Sequence, residues 1–507
     1  MHAALGNLEV IYTICSYTHL GSLPVLASTC RAFERPALNI LWRDLQSPEP
    51  LIKCLPSDLF STDRGRMVLQ KPLDAMMWDT LCKYTSRIHS ITVTQSSRLV
   101  AIIEPLGSLM LSCPSAPASL FPNLHKLIWS GDGTNGAAEV LRMALVPSLL
   151  VLDAQISSAS SAFLSVLSSA GALCPQLQDM ALRIHPATDE SFRKISPFVT
   201  QPISQLRNLR SLSVWDLGNQ GIEHVMQLKP LRSLCLDLRT PLVCERKLRP
   251  EFPGFNDLNF LGLSTDTLKR ASNFLSSFRV IESREIEIKV DFNHAAQNST
   301  SGSPMLAQFF TILQERCDTD KLEVLTLLGI SGKVRAEPDV FMPLQACRNL
   351  TRLSVERGCD VSMSDEELYQ LVRDWPKLEV LKISCCNSSD DTTMPTLHGL
   401  IGLLRLCPNL ASLALVVDTT KLDGINLKNP GGGSCNKYLK HLVLGESPVG
   451  TPLKVALILS GLFPNLEHVN FECSDTAQTK KSVLERRASV NSFLGGFSIV
   501  RERCTEA

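Results

Sequence analysis

Apolar residues recur along this chain at i, i+3 and i+5. The cleanest copy is Trp375-Pro-Lys-Leu-Glu-Val-Leu-Lys-Ile383, where Leu378, Leu381 and Ile383 hold the three positions. A short strand from Val380 sends Leu381 and Ile383 to one face and Lys382 and Ser384 to the other, because side chains alternate along extended backbone. With that copy the frame occurs a dozen times, the others being Leu124/Leu127/Trp129, Leu149/Leu152/Ala154, Leu177/Met180/Leu182, Leu209/Leu212/Val214, Leu231/Leu234/Leu236 and Leu258/Leu261/Leu263, then Leu322/Leu325/Leu327, Leu350/Leu353/Val355, Leu410/Leu413/Leu415, Leu439/Leu442/Leu444 and Leu466/Val469/Phe471. Several copies share a lead-in, as in Phe121-Pro-Asn-Leu124, Cys174-Pro-Gln-Leu177, Cys407-Pro-Asn-Leu410 and Phe463-Pro-Asn-Leu466. A proline there ends the preceding helix and sets the extended backbone that enters the strand.

Successive copies lie about 22 to 32 residues apart, with one wider gap, which brackets the leucine-rich-repeat period. Between them run helical stretches such as Ala137–Leu145, Ser160–Ala170, Asp189–Ile195, Ile222–Leu228, Thr267–Phe278, Met305–Arg316, Asp365–Trp375, Thr396–Leu406 and Leu453–Leu462. Ser364 precedes Asp365-Glu-Glu367 as a helix cap should. The pattern predicts an α/β leucine-rich-repeat solenoid over residues 86–475, a horseshoe with parallel strands on its concave face and helices on its convex face. Val280–Val290 alternates through Ile286, Ile288 and Val290 but lacks the leading leucine. Gly131–Gly133, Asn293–Ser303 and Gly431–Gly433 read as loops, and Ser482–Cys504 reads as a closing cap within residues 476–507.

Residues 1–45 follow another pattern. Leu8, Ile11 and Ile14 or Cys15 form one helical stripe, Leu20, Leu23, Ala27 and Cys30 a second, and Leu38, Leu41, Trp42 and Leu45 a third, with Pro36 in a first turn. Residues 46–85 are proline-punctuated at Pro48, Pro50, Pro56 and Pro72, then carry a helix over Leu73–Tyr84, and read as a linker and capping helix. Ile88, Ile91 and Val93 follow as a first strand.

Composition narrows the functions without choosing one. At 507 residues and 44% hydrophobic content a single globular core would be unusual, whereas a repeat array grows lengthwise. Fifty basic residues balance fifty acidic ones, so no global field favours nucleic acid or an anionic membrane. The opening residues lack a basic leader, and no apolar run approaches the roughly 20 residues that span a bilayer. The expected location is cytoplasmic, nuclear or both. Seventeen cysteines are scattered and odd in number, with Cys174, Cys347 and Cys407 in recurring apolar slots, so they read as reduced thiols.

No Cys-x-x-Cys, His-x-x-x-His, Gly-x-Ser-x-Gly or phosphate-loop motif is present, and Cys385-Cys386 follows a repeat strand. Neither a cofactor nor a metal is expected. The histidines are dispersed, with His125, His441 and His468 inside repeat windows, and Arg486-Arg-Ala-Ser489 matches a basic-directed phosphorylation pattern. What remains is surface. The concave positions include Lys126, Asp153, Arg183, Trp215, Asp237, Arg352, Glu356, Lys382, His441, His468 and Glu472. Trp215, Arg183, Asp237, Arg352, Glu356, Lys382 and His441 are the candidate target-binding residues, with Trp215 foremost because tryptophan is enriched among residues that dominate binding energy.

The front segment carries a family resemblance. Leu8-Glu-Val-Ile11 with Ile14, Ser22-Leu23 with Leu26-Ala27 and Thr29-Cys-Arg-Ala-Phe33, and Pro36-Ala-Leu38 with Leu41-Trp-Arg-Asp-Leu45 resemble an F-box. The passage containing Trp78 and Tyr84 to Arg87 is also similar to the F-box and leucine-rich-repeat proteins of mushroom-forming fungi. Where that family carries proline ahead of the glutamate, this chain has Asn7 and Leu8. The resemblance implies an all-α three-helix bundle that docks a Skp-type adaptor, and through it a cullin, with Leu8, Val10, Ile11, Ile14, Leu23, Leu26 and Trp42 as the adaptor-binding set. It also implies that the repeats hold a target protein for ubiquitin transfer, so that the chain is a recognition subunit and not an enzyme. The alternatives are a repeat scaffold or sensor whose front bundle only caps the array, and an α/β enzyme with a deep pocket.

Overall fold

The computed structural model describes residues 7–63, 66–94, 107, 119–184, 189–215, 217–239, 252–291, 302–329, 334–356, 359–383, 393–471 and 481–506. Asn293–Ser301, Cys385-Cys386 and Glu472 lie outside them. The chain divides into two compact units, residues 1–231 with 240–245 and residues 232–239 with 246–507. In both, the architecture is α/β, built on parallel strands with helices between them.

The first unit opens with α1 (Leu8–Tyr17), α2 (Leu23–Thr29) and α3 (Arg31–Arg43). Asn7 caps α1, its side chain accepting from the Glu9 N–H at 2.9 Å. The three stripes meet in a small core of Ile11, Cys15, Leu23 and Ala37, with Leu26, Ala27, Phe33, Ile40 and Leu41 packed against it. Two expectations are corrected. Because α3 starts at Arg31, Pro36 lies inside it and removes a backbone donor from the ladder. Nor does the third helix reach Leu45: it stops at Arg43, and β1 (Asp44–Leu45) leaves as a strand.

Residues 46–85 hold more than a linker, namely α4 (Glu49–Lys53), an antiparallel hairpin of β2 (Phe60–Asp63) and β3 (Arg66–Leu69), and α5 (Ala75–Thr85). Asp74 caps α5 by accepting from the Met77 N–H at 2.8 Å. Trp42 of α3 stacks on Tyr84 of α5 with ring centroids 4.6 Å apart.

β1 pairs in parallel with β4 (Ser90–Val93), followed by β5 (Lys126–Gly133), β6 (Val151–Ala159), β7 (Asp179–Ile184) and β8 (Ser211–Trp215). The register sets Ile91, Leu127, Leu152, Met180 and Leu212 side by side. Gly131–Gly133, expected as a loop, belongs to β5. A Cβ on Gly133 would sit 2.9 Å from the Phe163 ring, so this glycine answers to packing and not to a turn.

The second unit continues the pattern with β9 (Ser233–Asp237), β10 (Phe252–Thr265), β11 (Phe278–Val290), β12 (Val324–Leu328), β13 (Val334–Ala336), β14 (Arg352–Glu356), β15 (Cys359–Val361), β16 (Val380–Ile383), β17 (Ser412–Ala414), β18 (His441–Val443) and β19 (Val469–Asn470). β13 and β15 form a separate parallel pair. In the main sheet Leu234, Leu261, Ile286, Leu325, Leu353, Leu381, Leu413, Leu442 and Val469 fall in one row, none more than 2% exposed. Burying each such side chain is worth roughly 1.5 to 3 kcal/mol before conformational entropy is charged. β11 belongs to the row despite its missing leucine. Ser283 stands at that position, opposite Leu258, and its buried hydroxyl donates to the Glu285 carbonyl at 2.8 Å.

The lead-ins carry a second device besides proline. The amide nitrogens of Asn123, Asn208, Asn349 and Asn465 donate to the carbonyls of Ser86, Pro175, Asp320 and Lys437, at 2.7, 3.1, 2.7 and 2.9 Å, each in the lead-in of the preceding strand. Before the helix Asp365–Val372, Ser364 and Glu367 form a reciprocal capping box. The last helix, Lys481–Glu506, covers the outer edge of β19: Asn491 accepts from the Val469 N–H and donates to the Val469 carbonyl, both at 2.9 Å. A side-chain amide thus occupies the place of the next strand.

Candidate functional site

Strand alternation puts the recurring leucines on the buried side and leaves the residues between them on the opposite face, where most candidate target-binding residues lie. In the first unit Arg183 is exposed and pairs with Asp153 at 2.7 Å across neighbouring strands. Trp215 is the clear correction. Although alternation assigns it to the open face, it is 3% exposed at the end of β8, so it contributes packing and not a contact surface.

In the second unit three of the candidates converge. Asp237, at the end of β9, is gripped by Arg239 through two nitrogens, at 2.9 and 2.6 Å, and Arg239 reaches on to Asp291 at 2.6 Å. The hydrogen bonds it donates to Asp237 are the main reason the Arg239 guanidinium is held above its ordinary pKa. Glu356 accepts from Lys382 at 3.0 Å and from the Ser354 hydroxyl at 2.8 Å. Arg239, Ser264, Lys289, Asp291, Leu328, Gly329 and Glu356 line a cavity of about 550 Å³ beyond the strand ends. Arg352 and His441 are exposed elsewhere on this face and belong to neither group. Arg239 and Lys289 escaped the sequence reading. Lys289 was open to it through the alternation of Glu285, Glu287 and Lys289, whereas Arg239 follows its strand with no frame to mark it.

These pairs are between one third and three quarters exposed, the range in which an ion pair adds about 0 to 1 kcal/mol. Each side chain can therefore exchange its present partner for one on an incoming polar surface at little cost.

The front helices offer a different surface. Of the expected adaptor-binding set, Leu8 and Ile14 are exposed, at 59% and 39%, and Val10 and Leu26 are half-buried. Ile11, Leu23 and Trp42 are 3%, 0% and 8% exposed; the first two form the helical core, and Trp42 packs on Tyr84. None of the three is available to a partner. In their place stand residues that the sequence reading did not select: Tyr17, Leu20 and Val25, at 89%, 58% and 67% exposed. Leu20 already lay in a stripe, but as a core position.

Other chemistry is sparse. Among the described residues no group of three or more His, Cys, Asp or Glu is placed to hold a metal ion. Among them too, no helix is long and apolar enough to cross a membrane. Cys174, Cys347 and Cys407 are fully buried, and burial pushes each thiol up to about 12, out of reach of nucleophilic chemistry near neutrality. In Arg486-Arg-Ala-Ser489 the second arginine is buried, its guanidinium donating to the Phe471 and Ser447 carbonyls, which takes one basic residue of the phosphorylation pattern out of reach. No family model and no curated protein matches the chain.

Proposed function

We propose that the chain is a substrate-recognition subunit of a Skp-cullin-F-box type ubiquitin ligase, with the front helices docking a Skp-type adaptor and a leucine-rich-repeat horseshoe holding the target protein. The observation that carries this reading is the pairing of two unlike surfaces. One is the set of large apolar residues that the front helices leave exposed, Leu8, Ile14, Tyr17, Leu20 and Val25, and the other is the mixed-charge pairs along the strands of each unit. On this reading the chain supplies no catalytic group. Holding a target beside a loaded enzyme raises the local concentration of its lysines, and proximity does the rest.

Adaptor pull-down tests it. Tyr17→Asp with Val25→Asp changes only exposed positions, so recovery should fall by more than tenfold with unchanged helix content (about 1.4 kcal/mol per tenfold). Equal recovery of this variant and the wild type would remove the proposal.

A second reading, a repeat scaffold whose front helices merely cap the strands, is favoured by the pairing of Asp44–Leu45 with Ser90–Ile91 and by the Trp42–Tyr84 stack. Deleting residues 1–43 separates the two. A scaffold cap leaves aggregating repeats behind, and a docking module leaves soluble repeats that no longer bind the adaptor.

A further inference from the structure

Where α1 and α3 meet the turn that leads into β4, the first unit holds a cleft of about 670 Å³, within the range of small-molecule sites. Its charged lining is of one sign among the described residues: Arg35 and Arg43 from α3 and Arg87 from the turn, with the His89 imidazole beside them and no carboxylate among the described residues on the wall. In a chain whose fifty basic and fifty acidic residues balance, three guanidinium groups around one cavity are a local departure. Among the described residues Arg35, which is exposed, has no ion pair, and Arg43 pairs with its own neighbour, Asp44, at 3.1 Å. Arg87 is half-buried and fixed. Its Nε donates to the Lys83 carbonyl at 3.2 Å and its Nη1 to Asn39, which in turn donates to the Tyr12 hydroxyl at 2.5 Å. The chain Arg87–Asn39–Tyr12 ties the turn to α3 and α1 and aims one guanidinium before any ligand arrives. The hydroxyls of Thr13 and Ser16 add polar groups to the same wall, though each already donates within α1.

We propose that this cleft binds a small phosphate ester, the phosphate seated among Arg35, Arg87 and Arg43 and its organic part filling the remaining volume. Guanidinium is the cation whose fork matches phosphate oxygens, and the preset orientation of Arg87 lowers the ordering cost of binding. The cavity is several times larger than a phosphate ion, which is why an ester is inferred and not the free anion. The inference is independent of the ligase reading, because the cleft is lined by none of the exposed apolar residues Leu8, Ile14, Tyr17, Leu20 and Val25.

Isothermal titration of the full chain near neutral pH tests it with three probes: inorganic pyrophosphate, adenosine 5′-diphosphate and a phosphoserine peptide. Pyrophosphate and the nucleotide should bind at one site per chain, compete with each other and weaken as salt rises. Arg35→Gln with Arg87→Gln should lose at least about tenfold in affinity (roughly 1.4 kcal/mol), while Arg142→Gln, an exposed arginine paired with Glu139 outside the cleft, should bind as the wild type. Arg35→Gln alone, at an exposed position, should weaken binding without touching the Arg87–Asn39–Tyr12 chain, so a folding defect in the double variant would not blur the result. Absence of saturable binding by both small probes up to about 1 mM, equal binding by the double variant, or binding of the phosphopeptide alone would each overturn the proposal.

Discussion

The front helices and the strand rows put leucine, isoleucine and valine to opposite ends. Along the second unit's row, nine apolar side chains in register are each 0–2% exposed, because strands flank the inner members of the row on both sides and helices pack against strands such as β10 and β11. In the front helices six residues are buried, Ile11, Cys15, Leu23, Pro36, Ala37 and Trp42, and five large apolar ones lie between 39% and 89% exposed. Three short helices enclose too little volume to hide all their apolar surface, so the remainder faces outward. An array buries its hydrophobic residues by repetition, and three short helices are left with an exposed surplus.

The sharpest test of that contrast is a truncation in each region. Leu353→Ala should cost about 2 to 5 kcal/mol in urea unfolding followed by tryptophan fluorescence, whereas Leu8→Ala should stay within about 0.5 kcal/mol. A large loss at Leu8 would mean that the front face is already covered. Next come charges placed two residues apart on α2, on nearly opposite sides of the helix. Leu23→Asp should melt the front helices, seen as lost far-ultraviolet ellipticity, while Val25→Asp should not. The lead-in asparagines come third: Asn349→Ala should destabilise by about 1 kcal/mol, the ordinary net value of one hydrogen bond. On the open face, Glu356 and Lys382 should couple by less than about 1 kcal/mol in a double-mutant cycle on stability.

The smallest effect is a pH slope. The pKa of His89 is pushed below its ordinary 6.5 by burial, then by His125 and Arg43, with Asp44 opposing. The unfolded chain therefore binds the proton more readily than the folded one. The stability this represents is present above the ordinary histidine value and is lost as pH falls below it and through the folded value. Thermal midpoints should drop between about pH 7 and pH 5, and His89→Gln should flatten part of that drop.

The parallel-strand pattern was legible because it is local: three apolar residues at fixed spacing with a proline ahead of them. That signal failed where another residue could take the same position, as Ser283 does with its own hydrogen bond, and where glycine served packing, as at Gly133. It also failed at strand ends. Alternation assigned Trp215 to the open face, but only the fold decides whether the last residue of a strand meets solvent or a neighbour. In the front helices stripes located the elements without separating Leu23, in the core, from Leu20, outside it. A helix of seven residues gives periodicity too few turns to choose a face. The cleft was the least legible feature, since Arg35 and Arg87 come from segments far apart in the chain and share no motif.

The asparagines that reach back to the carbonyl of the preceding lead-in explain how the sequence can be so uneven while the strands stay aligned. A clasp that grips only its immediate predecessor is indifferent to the length of chain looped between the two. Insertions and deletions in the connecting segments are then absorbed without shifting the leucine row. Whole rungs can be copied or excised during evolution wherever an asparagine still finds a carbonyl to hold.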